Sequence, residues 1–138
     1  MNRTVIITGA TGKFGKVLVQ KFLKKGYLVI AIGKSKKRLN QLKIYITKKN
    51  QNLFLVCIDL MKNTSITKFI KVIKKLRLNP YALINNARNL DYSKLDKNGK
   101  PSTKNFLNEF KLGVVVPYEL TQALVAAFPG KFKNVLNL

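Results

Sequence analysis

The sequence predicts an α/β fold with a doubly wound parallel sheet of about five strands and helices on both faces. Short apolar runs alternate with helix-length amphipathic stretches along the 138 residues, which is the pattern of a parallel sheet with right-handed crossovers. A glycine-rich turn joins the first apolar run to the first helical stretch, and polar side chains follow the later runs. Because parallel strands end at a common edge, we expect a ligand crevice at their carboxyl ends.

Five apolar runs are predicted as strands. They are β-branched or nearly continuous in apolar residues, as expected of strands buried on both faces. In chain order they are Val5–Ile7, Tyr27–Ile32, Leu53–Ile58, Tyr81–Ile84 and Asn134–Leu138.

Helices are predicted between the strands from apolar residues at helical spacing. The first follows the glycine turn and ends at Gly26. The second runs to about Lys49, and the third begins near a capping residue at 63–65. The last extends from Thr103 to Phe128 and is expected to bend near Gly113 and Pro117. The second and third place one apolar face inward: Leu39, Leu42, Ile46; Ile66, Phe69, Ile70, Ile73, Leu76.

The turn from Thr8 to Gly15 is predicted to bind a nucleotide. Gly9 allows a tight exit from the strand, Gly12 lets a pyrophosphate approach the backbone, and Gly15 lets helix and strand pack closely. Free N–H groups and the positive end of the helix dipole face the phosphates. A structural turn without a ligand is the alternative. The predicted binding residues of the turn are Gly9, Thr11, Gly12, Lys13, Phe14 and Gly15.

The end of the second strand indicates which dinucleotide is bound. A carboxylate there binds the ribose 2′-hydroxyl of NAD, whereas a basic residue accommodates the 2′-phosphate of NADP. No Asp or Glu precedes Asp59, and Lys34 is followed by further cations at Lys36, Lys37 and Arg38. We therefore predict NADP(H), with NAD(H) as the less favoured alternative, although these lysines also follow the general basic bias of the chain.

Two further strand ends carry candidate site residues. Asp59 and Leu60 are suited to hold the adenine amino group and ring face, although an Asp that merely ends a strand is an equal alternative. Asn86 and Ala87 follow the fourth strand, where small side chains leave room for a cofactor and amides can tie neighbouring strands together.

The composition limits the class of protein. The chain is one domain by length and has no apolar run that would span a bilayer and no signal-peptide layout. A single cysteine, Cys57, is expected to be buried, so a cytoplasmic location is predicted. The 27 Lys and Arg against 5 Asp and Glu give a net charge of +22, which we attribute to a solvated lysine-rich surface rather than to a specific nucleic-acid site. With no His and no metal-ligand cluster, no metal site is predicted.

These motifs together resemble the short-chain dehydrogenase/reductase family, whose fold is of the Rossmann type. The resemblance implies a nicotinamide dinucleotide as cofactor, a small-molecule substrate, and homo-oligomers built with the long helix. A narrower resemblance, to oxidoreductases of surface-glycan and flagellin modification, implies a nucleotide-linked or phosphorylated sugar as substrate. The residues concerned are Thr8–Gly15, Asp59-Leu60, Asn85-Asn86-Ala87 and Pro117–Leu124, with Asn85–Asp91 and Val116–Thr121 for the narrower resemblance.

The chain also departs from the family pattern. Glycines at 9, 12 and 15 have the spacing of the family's extended branch, and Lys13 stands where the strict pattern has glycine. Arg88 replaces the glycine of Asn-Asn-Ala-Gly and is expected to contact a phosphate or substrate or to point to solvent. Gly113 falls at the position of the relay asparagine.

The family's catalytic Ser and Tyr-x-x-x-Lys lie beyond the fifth strand, so no catalytic residue is assigned. The string Tyr45 to Lys49 has the right spacing but lies on the helix after the second strand, away from the expected reaction centre. We therefore expect residues 1–138 to be one NAD(P)-binding domain, truncated before the catalytic residues. The alternative is a non-catalytic dinucleotide-binding module.

Overall fold

The structure, a computed structural model, describes residues 3–46, 50–89 and 94–138. Within these residues the chain alternates strands and helices in the predicted order. The strands are β1 (Thr4–Ile7), β2 (Leu28–Gly33), β3 (Leu53–Cys57), β4 (Pro80–Asn85) and β5 (Asn134–Asn137). The helices are α1 (Lys13–Lys24), α2 (Lys36–Tyr45), α3 (Ser65–Lys75), α4 (Thr103–Phe110) and α5 (Val116–Ala127).

The five strands form one parallel sheet in the order β3-β2-β1-β4-β5. The chain moves outward from β1 to β2 and β3 on one side, then returns to place β4 on the other side of β1. Ile7, near the end of β1, is therefore in register with Ala31 of β2 and with Ile84 of β4. This reversal of strand order opens a crevice beyond the carboxyl ends of β1 and β4.

Two apolar layers confirm that helices cover both faces of the sheet. Alternate residues of each strand point to opposite faces, so Val5 and Ile7 pack with α1 and α2, whereas Ile6 packs with α3 and α5. The first layer includes Val19, Leu23 and Leu42; the second includes Phe69, Ile73, Val116, Leu120 and Leu124.

The predicted bend in the long helix is a π-helical turn, Lys111–Val115, which joins α4 to α5. The Val116 N–H donates to the Lys111 carbonyl oxygen, five residues back. Pro117 has no N–H to donate to the Gly113 carbonyl oxygen, so the α-helical pattern cannot run unchanged through this position.

Two predictions about local structure are wrong. Helix α2 ends at Tyr45 instead of near Lys49, and residues 47–49 lie outside the described part of the chain. Cys57 was predicted to be buried, but it is exposed. The physical reason is position: β3 is an edge strand, paired only with β2, so its last residue is not enclosed from both sides.

The surface has the lysine-rich character that the sequence predicts. Lys16 is partly buried, Lys48 and Lys49 are outside the described residues, and these other lysines on or next to the helices are exposed: Lys21, Lys24, Lys25, Lys43, Lys71, Lys74, Lys75. At the other edge of the sheet, all four residues of β5 are exposed. Within the described ranges, no helix is long and apolar enough to cross a membrane.

Candidate functional site

The glycine turn after β1 packs directly against the loop after β4. Gly9 has a positive φ of 62°, which favours glycine, and its missing side chain is what permits the contact. A Cβ built on Gly9 would lie 2.8 Å from Ala87 Cα and 2.9 Å from the Asn86 carbonyl oxygen. The two motifs that the sequence presents separately therefore form one unit.

Hydrogen bonds hold this unit together. The backbone N–H groups of Asn86 and Ala87 both donate to Thr8 Oγ1, each at 3.0 Å. The Asn86 side-chain amide donates in return to the carbonyl oxygens of Thr8 at 3.2 Å and Gly9 at 3.1 Å. The prediction that these amides tie neighbouring strands is confirmed, and Asn85 does the same to β5 by donating to Asn137 Oδ1 at 2.7 Å.

Helix α1 begins at the same turn. A Cβ on Gly15 would overlap the Gly9 carbonyl oxygen and lie 2.8 Å from Ala10 Cα, so the first turn of α1 can approach the glycine turn only with glycine at 15. Gly12 is the N-cap residue and provides no side-chain cap, and no acidic residue occupies the first turn. The positive end of the helix is thus free to face an anion.

All twelve predicted binding residues line one cavity of about 470 Å³ at the carboxyl edge of the sheet. This volume lies within the range of about 300–1,000 Å³ that is usual for small-molecule sites. The lining residues that were predicted are Gly9, Thr11, Gly12, Lys13, Phe14, Gly15, Lys34, Asp59, Leu60, Asn86, Ala87 and Arg88. The cavity also includes Ile32, Gly33, Arg38, Ile58, Met61, Asn89 and Leu112, and we call it the cofactor cavity below.

The charges around the cofactor cavity are mostly positive. Three exposed cations lie on its wall: Lys13, Lys34 and Arg38. Of the three cations that follow Lys34 in the sequence, Arg38 is the one that lines the cavity. Asp59 is the acidic residue among the lining residues, and its Oδ1 already accepts the Met61 N–H at 3.0 Å. An anionic ligand therefore suits the end of β2 better than a cationic one.

The Arg88 side chain is half exposed, and it is also held by other residues of the protein. Its Nε donates to Glu109 Oε1 at 3.0 Å, and its Nη1 donates to the Leu138 carbonyl oxygen at 3.2 Å. The guanidinium group is thus held by α4 and the end of β5 while the residue still lines the cavity. Leu90 and Asp91, which extend this motif in the sequence, lie outside the described residues.

Gly113 and Tyr45 are the two other positions that the sequence singles out. Gly113 lies in the π-helical turn, where a Cβ would meet Glu109 Oε1 at an ordinary contact distance of 3.6 Å. Tyr45 ends α2 and does not line the cofactor cavity; the Lys16 ammonium lies 5.8 Å from the centroid of its ring. Its partner in the Tyr-x-x-x-Lys string, Lys49, is outside the described residues.

Sequence reasoning missed two side chains that organise the site. Thr8 was read as part of the glycine turn without a role of its own, although a threonine at the end of a buried strand is a usable signal of a side-chain hydrogen bond. Glu109 gave no local signal, because its partners are 20 and 21 residues away. In the described ranges, no group of three or more His, Cys, Asp or Glu side chains could hold a metal ion.

Comparison with known proteins gives a consistent result. The model of the short chain dehydrogenase family matches residues 3–135. The NADP-dependent 3-hydroxy acid dehydrogenase of Escherichia coli K12 is 31% identical over 83 residues, covering 60% of this chain and 32% of that protein. The NADPH-dependent pterin aldehyde reductase of Arabidopsis thaliana is 29% identical over 85 residues, covering 62% of this chain and 35% of that protein.

A solved short chain dehydrogenase from Bacillus anthracis superposes with a TM-score of 0.80 at 23% identity, covering 96% of this chain and 56% of that one. At this identity the likeness shows the fold alone. The match spans about a third of the length of the two curated relatives and just over half of the solved structure.

The link between Thr8 and the Asn86 loop yields a matched prediction. Thr8→Val removes the hydroxyl that accepts two backbone N–H groups, so we expect the free energy of unfolding to fall by about 1–3 kcal/mol in urea titrations. Thr4→Val is the control: Thr4 begins β1, the strand that Thr8 directly follows, and is also buried, but its Oγ1 finds no hydrogen-bond partner among the described residues. That substitution should leave stability unchanged or raise it. Equal losses in the two variants would contradict the assignment.

Proposed function

We propose that this chain, which belongs to the short-chain dehydrogenase family, binds NADP(H) in the cofactor cavity and forms the nucleotide-binding half of an oxidoreductase. One observation carries the proposal. A glycine cradle, an open helix N-terminus and a cationic strand end all border the same cavity. The names of the two curated relatives, which specify NADP and NADPH, support the choice of dinucleotide.

The residues fit the parts of the dinucleotide in order along the cavity. Lys34 directly follows β2 and Arg38 lies in the first turn of α2, next to the strand end where the 2′-phosphate of the adenosine ribose is bound in doubly wound folds. Gly12 and the first turn of α1 face the pyrophosphate. Asn86 and Ala87 form the floor beyond β1 and β4, toward the nicotinamide end. The nicotinamide ring supplies the hydride acceptor or donor when it is bound.

The fit rests on space as well as charge. Atoms placed at the missing Cβ positions of Gly9 and Gly15 would collide with the backbone of the site itself, whereas a Cβ on Gly12 would meet only the Gly9 carbonyl oxygen, at 3.4 Å. Gly12 is therefore the glycine that the protein leaves open for a ligand. Asp59 and Leu60 complete the wall where adenine is expected.

The substrate is proposed only by class. A nucleotide-linked or phosphorylated sugar follows from the narrower resemblance in the sequence, while the relatives are named for a 3-hydroxy acid and a pterin aldehyde. We propose the cytoplasm as the compartment. We propose that the catalytic side chains of the oxidoreductase are supplied from outside residues 1–138. This agrees with the comparison, in which the match spans about a third of the length of each curated relative.

A non-catalytic dinucleotide-binding module is the second candidate. Gly113 favours it, because glycine at this position provides no side chain for a proton relay. The coding sequence downstream distinguishes the two functions. An in-frame Ser and Tyr-x-x-x-Lys would support the oxidoreductase, whereas a stop codon followed by unrelated sequence would support the module.

We expect the purified chain to bind NADPH more tightly than NADH in titrations that follow nicotinamide fluorescence. Replacing both Lys34 and Arg38 by Ala should weaken NADPH binding about tenfold or more and leave NADH binding unchanged, because charge-assisted hydrogen bonds to the 2′-phosphate are lost. The matched control replaces Lys43 and Lys75, which are also exposed and lie outside the cavity. Equal effects of the two double substitutions would show that only net charge matters.

Gly12→Asp should abolish binding of both dinucleotides, because it places a carboxylate against the pyrophosphate at a position where the fold itself has room. Retained binding by this variant would exclude the glycine turn as the phosphate site. A second salt concentration separates specific binding from general attraction to a chain of charge +22.

A homo-oligomer is part of the same proposal. Exposed apolar side chains recur every four residues along the helical stretch from α4 to α5: Phe106, Phe110, Val114, Tyr118. Such a stripe is suited to the same stripe of a second copy.

Phe110→Lys should convert the oligomer to monomers in sedimentation velocity at about physiological ionic strength, since a charge in an apolar interface is costly. Leu95→Lys adds the same charge at an exposed loop residue and should leave the sedimentation coefficient unchanged. A wild-type chain that sediments at its monomer mass of 15.6 kDa at micromolar concentrations would contradict the oligomer.

A further inference from the structure

Glu109 joins helix α4 to the loop that follows β4. Its Oε1 accepts the Arg88 Nε–H at 3.0 Å, and its Oε2 accepts the Asn89 backbone N–H at 2.7 Å. Arg88 is also bonded to the Leu138 carbonyl oxygen, as described above. We call the Glu109 carboxylate with these two partners, Arg88 and Asn89, the Glu109 clasp.

The clasp is well placed to fix the loop. The Glu109 side chain is only 15% exposed, so both of its oxygens are held in one geometry, while the Arg88 side chain is 52% exposed. Bonds to an ionised carboxylate are about twice as strong as neutral ones. Each oxygen binds a different residue of the loop, so the carboxylate fixes both its backbone and its side chain.

The loop held by the clasp forms one end of the cofactor cavity. Arg88 and Asn89 line the cavity, whereas Glu109 does not. Since the 2′-phosphate end of the cavity lies at β2, the Arg88 and Asn89 end is the one toward which the nicotinamide half extends. Glu109 therefore lies behind the two residues that line this end of the cavity, and it does not line the cavity itself.

We propose that Glu109 is a positioning residue for the nicotinamide half of the bound dinucleotide, an inference that rests on the proposed function. It holds Arg88 toward α4 and β5 and fixes the Asn89 backbone, which keeps the floor at Asn86 and Ala87 open. Without the carboxylate, the guanidinium group is free to turn into the cavity and the loop loses an anchor.

The sign of the effect separates this role from simple electrostatics. Glu109 is a negative charge near an anionic ligand, so its removal alone would strengthen NADPH binding through Coulomb's law. The clasp requires the opposite: NADPH binding weakens when the carboxylate is removed. The two N–H groups bind different oxygens of Glu109, so a glutamine in the same position presents its oxygen to one of them and its NH2 donor to the other.

The experiment compares Glu109→Gln with Glu119→Gln in the complete 138-residue chain. Both substitutions remove one negative charge from the same helical stretch, but Glu119 is exposed on α5 and is not part of the Glu109 clasp. The probes are NADPH and adenosine 2′,5′-bisphosphate, which has the 2′-phosphate end but no nicotinamide. Amide hydrogen exchange of residues 86–89 is measured in the ligand-free chain.

We expect Glu109→Gln to weaken NADPH binding roughly five- to tenfold, to leave adenosine 2′,5′-bisphosphate binding unchanged, and to accelerate exchange of the Asn89 amide. Glu119→Gln should change none of the three. Glu109→Asp keeps the charge but shortens the side chain, so it should reproduce the effect of the glutamine.

Three results would overturn the proposal. They are unchanged or tighter NADPH binding in Glu109→Gln, equal weakening of both ligands, and wild-type behaviour of Glu109→Asp. Failure of the folded wild-type chain to bind either nucleotide would instead reject the proposed function, and the cofactor role of Glu109 with it. Hydrogen exchange would then still decide whether Glu109 holds the loop.

Discussion

The close contact between the glycine turn after β1 and the Asn86-Ala87 loop after β4 is the constraint on which the site depends. It joins two strands that are neighbours in the sheet but almost 80 residues apart in sequence. The absence of a Cβ at Gly9 permits the approach, and the Thr8 hydroxyl satisfies the two N–H groups that the approach leaves between the strands. The cavity lies where the order of the strands reverses, because only there do the two neighbouring crossovers diverge.

The distribution of charge follows from how few acids the chain has. With 5 acidic residues against 27 basic ones, a general positive field attracts any polyanion, and specificity must come from position. Three of the cations have such a position, because they lie on the cavity wall: Lys13, Lys34 and Arg38. Two acids that the structure describes near the site are used by the protein itself: Asp59 accepts the Met61 N–H, and Glu109 binds Arg88 and Asn89.

Two of the departures from the family pattern fall in one place. Arg88 stands where the family has glycine, Gly113 where it has the relay asparagine, and both lie against Glu109. The π-helical turn brings Gly113 there because Pro117 interrupts the α-helical hydrogen bonds. The added cation, Arg88, and the position without a side chain, Gly113, thus both lie beside the Glu109 carboxylate. These two changes lie at the end of the cavity formed by Arg88 and Asn89, whereas the departure at Lys13 lies in the glycine turn.

The sequence by itself determined the order of strands and helices, the doubly wound class and the twelve residues that meet at the cavity. These depend on short-range patterns: hydrophobic period, glycine spacing, and the rule that parallel strands end at one edge. Only the tertiary structure decided the exposure of Cys57 and the hydrogen-bond partners of Thr8 and Glu109. An edge position depends on which strand pairs with which, and hydrogen bonds across 20 to almost 80 residues depend on how separate segments meet in space. No local sequence pattern indicates an edge position in the sheet or a hydrogen bond between distant segments.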